Sequence, residues 1–166
     1  MQGTIGIAPA NVVASTATPE FRVGTLGRID DDTYGTRYFL YVHAAEAITG
    51  AGYLCVVDSA FEAEMADTTS TAPGAGAGCR VGAAQAAVAD NEYFWIQVYG
   101  KGSLRTLASA ALGTELTCSA TPGAVDDATT AGLEVMSGLT LGTATGGAAA
   151  TNADAYFNFP YVGRTL

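Results

Sequence analysis

Apolar and polar residues alternate over short runs along most of this chain, and glycines or acidic turns close each run. FRVGTLGRI (21–29) and TRYFLYVHA (36–44) flank DDDTYG, whose Asp and Gly residues tolerate turn conformations, so the pattern predicts a hairpin. GYLCVVDSA (52–60) is a β-branched run, and a short strand is expected at FEAEM after it. Further strand signals follow at CRVGAAQAAVA, NEYFWIQVYGKG, SLRTLASAAL, TELTCSA, LEVMSGLTLG and AYFNFPYVG. Between them lie two loose loops, TTSTAPGAGAG (68–78) and GTATGGAAATNA (142–153), and a turn at TPGAVDDATTAG (121–132). Residues 60–67 and 104–112 are the only stretches open to a helical reading, and neither carries a cap or a long 3.6-residue period. Short strands at close spacing predict an all-β fold, a compact barrel or sandwich with long Gly/Ala-rich loops.

The period-two rule can be applied to Tyr93–Tyr99. It places Phe94, Ile96 and Val98 on one face and Tyr93, Trp95, Gln97 and Tyr99 on the other. The first face is wholly apolar and belongs in a core. The second is large, flat and half polar. Tyr and Trp combine apolar area with a hydrogen-bonding group, which suits either an interface or the underside of a second sheet.

Residues 1–20 differ from the rest. They hold a single charge, Glu20, with Pro9 and Pro19, and the alternation of Ile5 and Ile7 fades into Ala, Ser and Thr. This predicts an extended N-terminal arm ahead of one β domain at 21–166. The arm either reaches a neighbouring subunit or forms an edge strand of its own sheet. In the first case Ile5, Ile7, Pro9, Val12 and Val13 are the candidate partner-binding residues, joined by Tyr93, Trp95 and Tyr99. A faint repeat runs through the domain. Cys55 and Cys118 stand 63 residues apart, as do Tyr93-Phe94 and Tyr156-Phe157, and Gly100 and Gly163.

Composition narrows the function. Sixteen acidic against seven basic residues give a net charge of −9, which repels the phosphate backbone and argues against nucleic acid as a partner. Three cysteines at wide spacing do not make a disulfide framework and read as reduced, mostly buried residues. MQGTIGIAPANVVAST has no basic start or long apolar run, and nothing reaches the roughly 18 apolar residues of a membrane span. The expected site of synthesis is a cytoplasm.

Candidate chemistry is sparse. His43 is the only histidine and sits on a predicted strand, so acid–base catalysis has little to use. Asp30–Asp32 lead to Gly35 at the sixth place of a calcium-loop count, but Tyr34 and Tyr41 stand where ligands belong, and a solvated turn is the better reading. YGKGSLRT lacks the spacing of a phosphate loop, and no cysteine–histidine spacing suits zinc. No enzyme, no metal and no cofactor is expected.

One resemblance is carried by the order FRVGTLGRIDDDTYGTRYFLYVHAAEAITGAGYLCVVD, a loose loop, then GAAQAAVADNEYFWIQVYGKG and a Gly/Ala/Asp-rich end. Its most similar parts are AITGAGYLCVVD (47–58) and the aromatic strand 93–100, within a span of about residues 21–135. This order resembles the small decoration, or cement, proteins of tailed-bacteriophage heads. The resemblance implies a non-enzymatic virion structural protein on the outer capsid surface. It also implies major capsid protein and further copies of itself as partners, in a homotrimer. Another virion component (tail, fibre or head–tail protein) is one alternative. A carbohydrate-binding β-sandwich stacking sugars on Trp95 and Tyr99 is the other.

Overall fold

The computed structural model describes residues 4–75, 78–147 and 149–166, and the fold is all-β. In chain order the strands are β1 (Ile5–Gly6), β2 (Leu26–Asp31), β3 (Gly35–Ala44), β4 (Leu54–Val57), β5 (Glu62–Met65) and β6 (Arg80–Ala84). They continue with β7 (Tyr93–Thr106), β8 (Thr117–Cys118), β9 (Val125–Asp126), β10 (Glu134–Leu141) and β11 (Thr151–Thr165). One 3-10 turn, Pro9–Val13, follows β1. The stretches open to a helical reading are strand and loop instead: Glu62–Met65 is β5, and β7 extends to Thr106.

Strand pairing closes on itself twice, with β7 common to both rings. In the first, β3 pairs with β7 and, in parallel, with β5; β5 pairs with β4, β4 with β6, and β6 with β7 again. In the second, β7 pairs with β11 and, in parallel, with β9; β9 pairs with β8, β8 with β10, and β10 with β11. The same order of connections thus occurs twice. The parallel contacts mark the correspondence: His43 opposite Glu62 in one ring, Thr106 opposite Val125 in the other. Closing a sheet in this way removes most of the exposed edges that invite aggregation.

The sequence explains how one strand can serve two cores. In β4, Cys55 and Val57 point into the first ring with Val42, Phe94 and Ile96, while Leu54 and Val56 face the second core with Leu104, Met136 and Phe157. A strand buried on both sides reads as a continuous apolar run, and LCVV is one. Cys55 and Cys118 are both buried, one in each core, whereas Cys79 is exposed. Burial pushes the Cys55 thiol up to about 12.

Strand β7 is the spine. It runs for 14 residues and bends at Gly100, whose φ of +90° and proximity to the Thr36 carbonyl leave no place for a side chain. Before the bend it pairs with β3, from Tyr93 opposite His43 to Tyr99 opposite Tyr38; from Tyr99 to Thr106 it pairs with β11. Gln97, fully buried, donates its amide to the carbonyls of Tyr99 at 3.2 Å and Lys101 at 2.9 Å, on either side of the bend.

At the β2–β3 hairpin, Asp31 accepts the Thr33 and Tyr34 amides, and the Tyr34 bond, with Arg37 at 2.7 Å, holds its carboxyl below the usual range. Thr36 and Arg28 do the same for Asp30. These carboxylates are engaged in the turn itself.

Candidate functional site

The first question is what covers the aromatic side of β7. Phe94, Ile96 and Val98 lie in the core of the first ring, as their alternation requires. On the opposite face Trp95 is 2% exposed, in a cluster with Val12, Ile29, Phe39 and Tyr41, flanked by Ile5, Ile7, Phe21 and Tyr93. The chain's own N-terminal arm supplies this cover. Ile5 and Gly6 pair in parallel with Gly27 and Arg28 at the sheet edge, and Thr16 exchanges two hydrogen bonds with Tyr93, at 3.0 and 2.9 Å. Ser15 donates to Glu92, and the Tyr41 hydroxyl accepts the Glu20 amide at 3.1 Å.

The eight residues proposed for partner binding therefore separate. Trp95 and Val12 are buried inside the molecule, Ile5, Ile7 and Tyr93 are half-buried in the same cluster, and Pro9 and Val13 remain exposed. Trp95 has no free face for a sugar ring in this arrangement. Tyr99 belongs elsewhere: its ring packs edge-on against Tyr38 at 5.4 Å and lies tilted against Phe159 at 5.5 Å.

Tyr99 leads to the strongest surface feature. Phe159 and Tyr161, both about half exposed, project from the bulged end of β11. The bulge has visible causes. Pro160 cannot donate to a ladder and is tolerated where pairing is interrupted. Opposite it, β10 shifts register between Ser137 and Leu139, with Gly138 at φ +81° against the Asn158 carbonyl. Phe159 itself has φ +46°, a conformation rare for a bulky residue.

Beside these side chains lies a groove of about 490 Å³ lined by Leu26, Leu40, Val81, Val98, Phe61, Arg80 and the Phe159–Tyr161 segment. Phe61 also has positive φ, +66°. Residues in sparsely populated backbone regions cost on the order of 1–3 kcal/mol and persist only where the surroundings impose them; they cluster at binding sites. The Arg80 guanidinium stands 5.2 Å over the Phe61 ring, and no ion pair among the described residues involves it. Phe61, Arg80, Phe159 and Tyr161 were not singled out from the sequence; the nearest signal was a proline inside the aromatic run AYFNFPYVG.

A second recess, lined by Glu46, Glu64, Asp67 and the 69–75 loop, is acidic. Burial, reinforced by Glu46, Asp67 and Asp58, raises the Glu64 carboxyl above its ordinary value. Among the described residues no group of three or more His, Cys, Asp or Glu side chains is placed to hold a metal ion. His43 lies 3.7 Å from Glu62, with its ring tilted against that of Tyr93 at 4.6 Å. No helix among the described residues is long and apolar enough to cross a membrane.

Against protein-family models, curated proteins and solved structures, the chain finds no match.

Proposed function

We propose that this chain is a virion structural protein that binds the outer surface of a phage capsid and stabilises the shell, without catalytic activity of its own. The observation that carries a binding role is the exposed aromatic pair Phe159 and Tyr161, set beside an open apolar groove on a twice-closed β scaffold. Large aromatic side chains left in water at one place are the usual anchors of protein interfaces, and a rigid scaffold lowers the ordering cost of docking. The capsid as partner is supported by the resemblance in residues 21–135 to head decoration proteins. The net charge of −9 suits the outside of a particle better than its DNA-facing interior. In this reading the aromatic face meets the major capsid protein, and copies of the chain associate with one another, as trimers, over the shell.

Co-sedimentation with genome-free capsids tests the reading. The full chain pellets with capsids at saturable stoichiometry, and Phe159→Ala with Tyr161→Ala lowers its affinity at least tenfold while leaving the fold intact. A chain that stays in the supernatant at every capsid concentration contradicts it.

A further inference from the structure

The groove beside Phe159 has chemistry specific enough to describe its occupant. Its lining is largely aliphatic: Leu26, Leu40 and Val98 from the first core and Val81 from the second. Phe61 and Phe159 both hold left-handed backbone. The Phe61 ring fits there because Gly24, with φ +84°, has no β-carbon to obstruct it. A volume of about 490 Å³ lies within the roughly 300–1,000 Å³ range of ligand-sized sites, room for more than one side chain.

Arg80 is the one charged group lining this space; it is exposed, free of ion pairs among the described residues, and positioned over Phe61. A guanidinium at an apolar mouth selects a carboxylate, because a charge-assisted hydrogen bond there adds to the apolar contact. It stands out further on a chain with sixteen acids and seven bases, where four of the bases (Arg28, Arg37, Lys101 and Arg164) are already paired with acids. A single guanidinium in the groove does not suit a polyphosphate, which needs several cations.

We infer that the groove receives a segment of a partner protein in which a Phe or Leu side chain enters beside Phe61 and a neighbouring Asp or Glu pairs with Arg80. The identity of that partner as the capsid shell protein rests on the function proposed above; the chemistry of the segment does not.

The test uses the full chain and fluorescein-labelled peptides carrying Phe or Leu flanked by Asp, by Lys or by Ser. Wild type binds the Asp-flanked peptides at least tenfold more tightly than the Lys-flanked ones. Arg80→Glu, an exposed change whose folding is verified by its thermal melt, reverses that order. Affinity that ignores the flanking charge, no binding by any peptide, or an order unchanged by Arg80→Glu overturns the inference. So does self-association in sedimentation that Arg80→Glu abolishes, since it gives the groove to a second copy. Capsid binding, run in parallel, separates the two claims. If wild type ignores capsids yet shows the charge reversal with peptides, the capsid reading falls and the groove chemistry stands. If Arg80→Glu binds capsids as wild type does, the capsid reading stands and the groove is not its contact.

Discussion

The tip of the Phe61 ring rests against Gly24 so closely that a β-carbon on Gly24 would lie 2.5 Å from Cζ. Gly24 also holds φ +84° and donates its amide to the Tyr41 carbonyl at 2.8 Å, so its position is fixed independently of the ring. Gly24→Ala therefore meets two penalties, a left-handed alanine and a steric clash, together about 1–3 kcal/mol. The structure gives way at Phe61, which moves from the groove. Denaturant melts register the loss in stability, and capsid binding falls with it. An alanine variant with wild-type stability contradicts the packing described.

The arm makes Trp95 a reporter, because it is the chain's one tryptophan. Removing residues 2–20 strips Ile5, Ile7 and Val12 from the ring, so its emission shifts to the red and becomes quenchable by iodide, while the two ring cores keep the domain folded. Val12→Ala alone costs roughly 1–2 kcal/mol, from two buried methyl groups. Emission unchanged on truncation would mean that something other than the arm covers Trp95.

Gln97 and Gly102 form the second pair on which β7 depends. Any β-carbon at Gly102 would collide with the Gln97 carboxamide, which is held between the Tyr99 and Lys101 carbonyls. Gln97→Leu leaves both carbonyls without their side-chain donor and costs about 1–3 kcal/mol. Gly102→Ala displaces the carboxamide and destabilises by a similar amount, about 1–3 kcal/mol. The two losses are not additive in the double variant, because both act on the same amide. Denaturant unfolding of the two single variants and the double variant measures this.

Two carboxylates give opposite pH signatures. Asp31 is held below its ordinary value of 3.8, so the folded state gains from its charge above that pH and loses the gain as pH falls further. Asp31→Asn melts lower at neutral pH and declines less steeply in acid. Glu64 is raised above its ordinary value of 4.5, so its charge disfavours the fold as pH rises through that window. Glu64→Gln raises the melting temperature at neutral pH and has little effect at pH 4. Melting curves between pH 3 and 7 distinguish the two.

Much of this fold was legible from period-two patterning. Phe94, Ile96 and Val98 face the first core because alternation leaves them no other side. The hairpin at DDDTYG forms with Asp31 opposite Gly35. Less legible were features set by distant parts of the chain. YGKG looked like a strand end, yet β7 continues through it, because Gly100 and Gly102 make room for the Thr36 carbonyl and the Gln97 side chain. Trp95 and Tyr99 alternate identically in sequence, but one lies under the arm and the other beside Phe159, a difference only the path of the chain decides. The groove brings together residues 24, 26, 40, 61, 80–81, 98 and 159–161. Two of its aromatic residues adopt a backbone conformation for which phenylalanine carries no sequence signal.

The central claim is that the face around Phe159 and Tyr161 docks this protein onto a capsid. The most direct measurement is the binding isotherm of the full chain on genome-free capsids, run beside the Phe159→Ala/Tyr161→Ala variant, with bound copies counted against the major shell protein. The account predicts saturation at a fixed ratio to the shell protein, many copies per particle, and at least a tenfold weaker isotherm for the variant. Identical isotherms for the two proteins, or saturation at a few copies per particle, would contradict it.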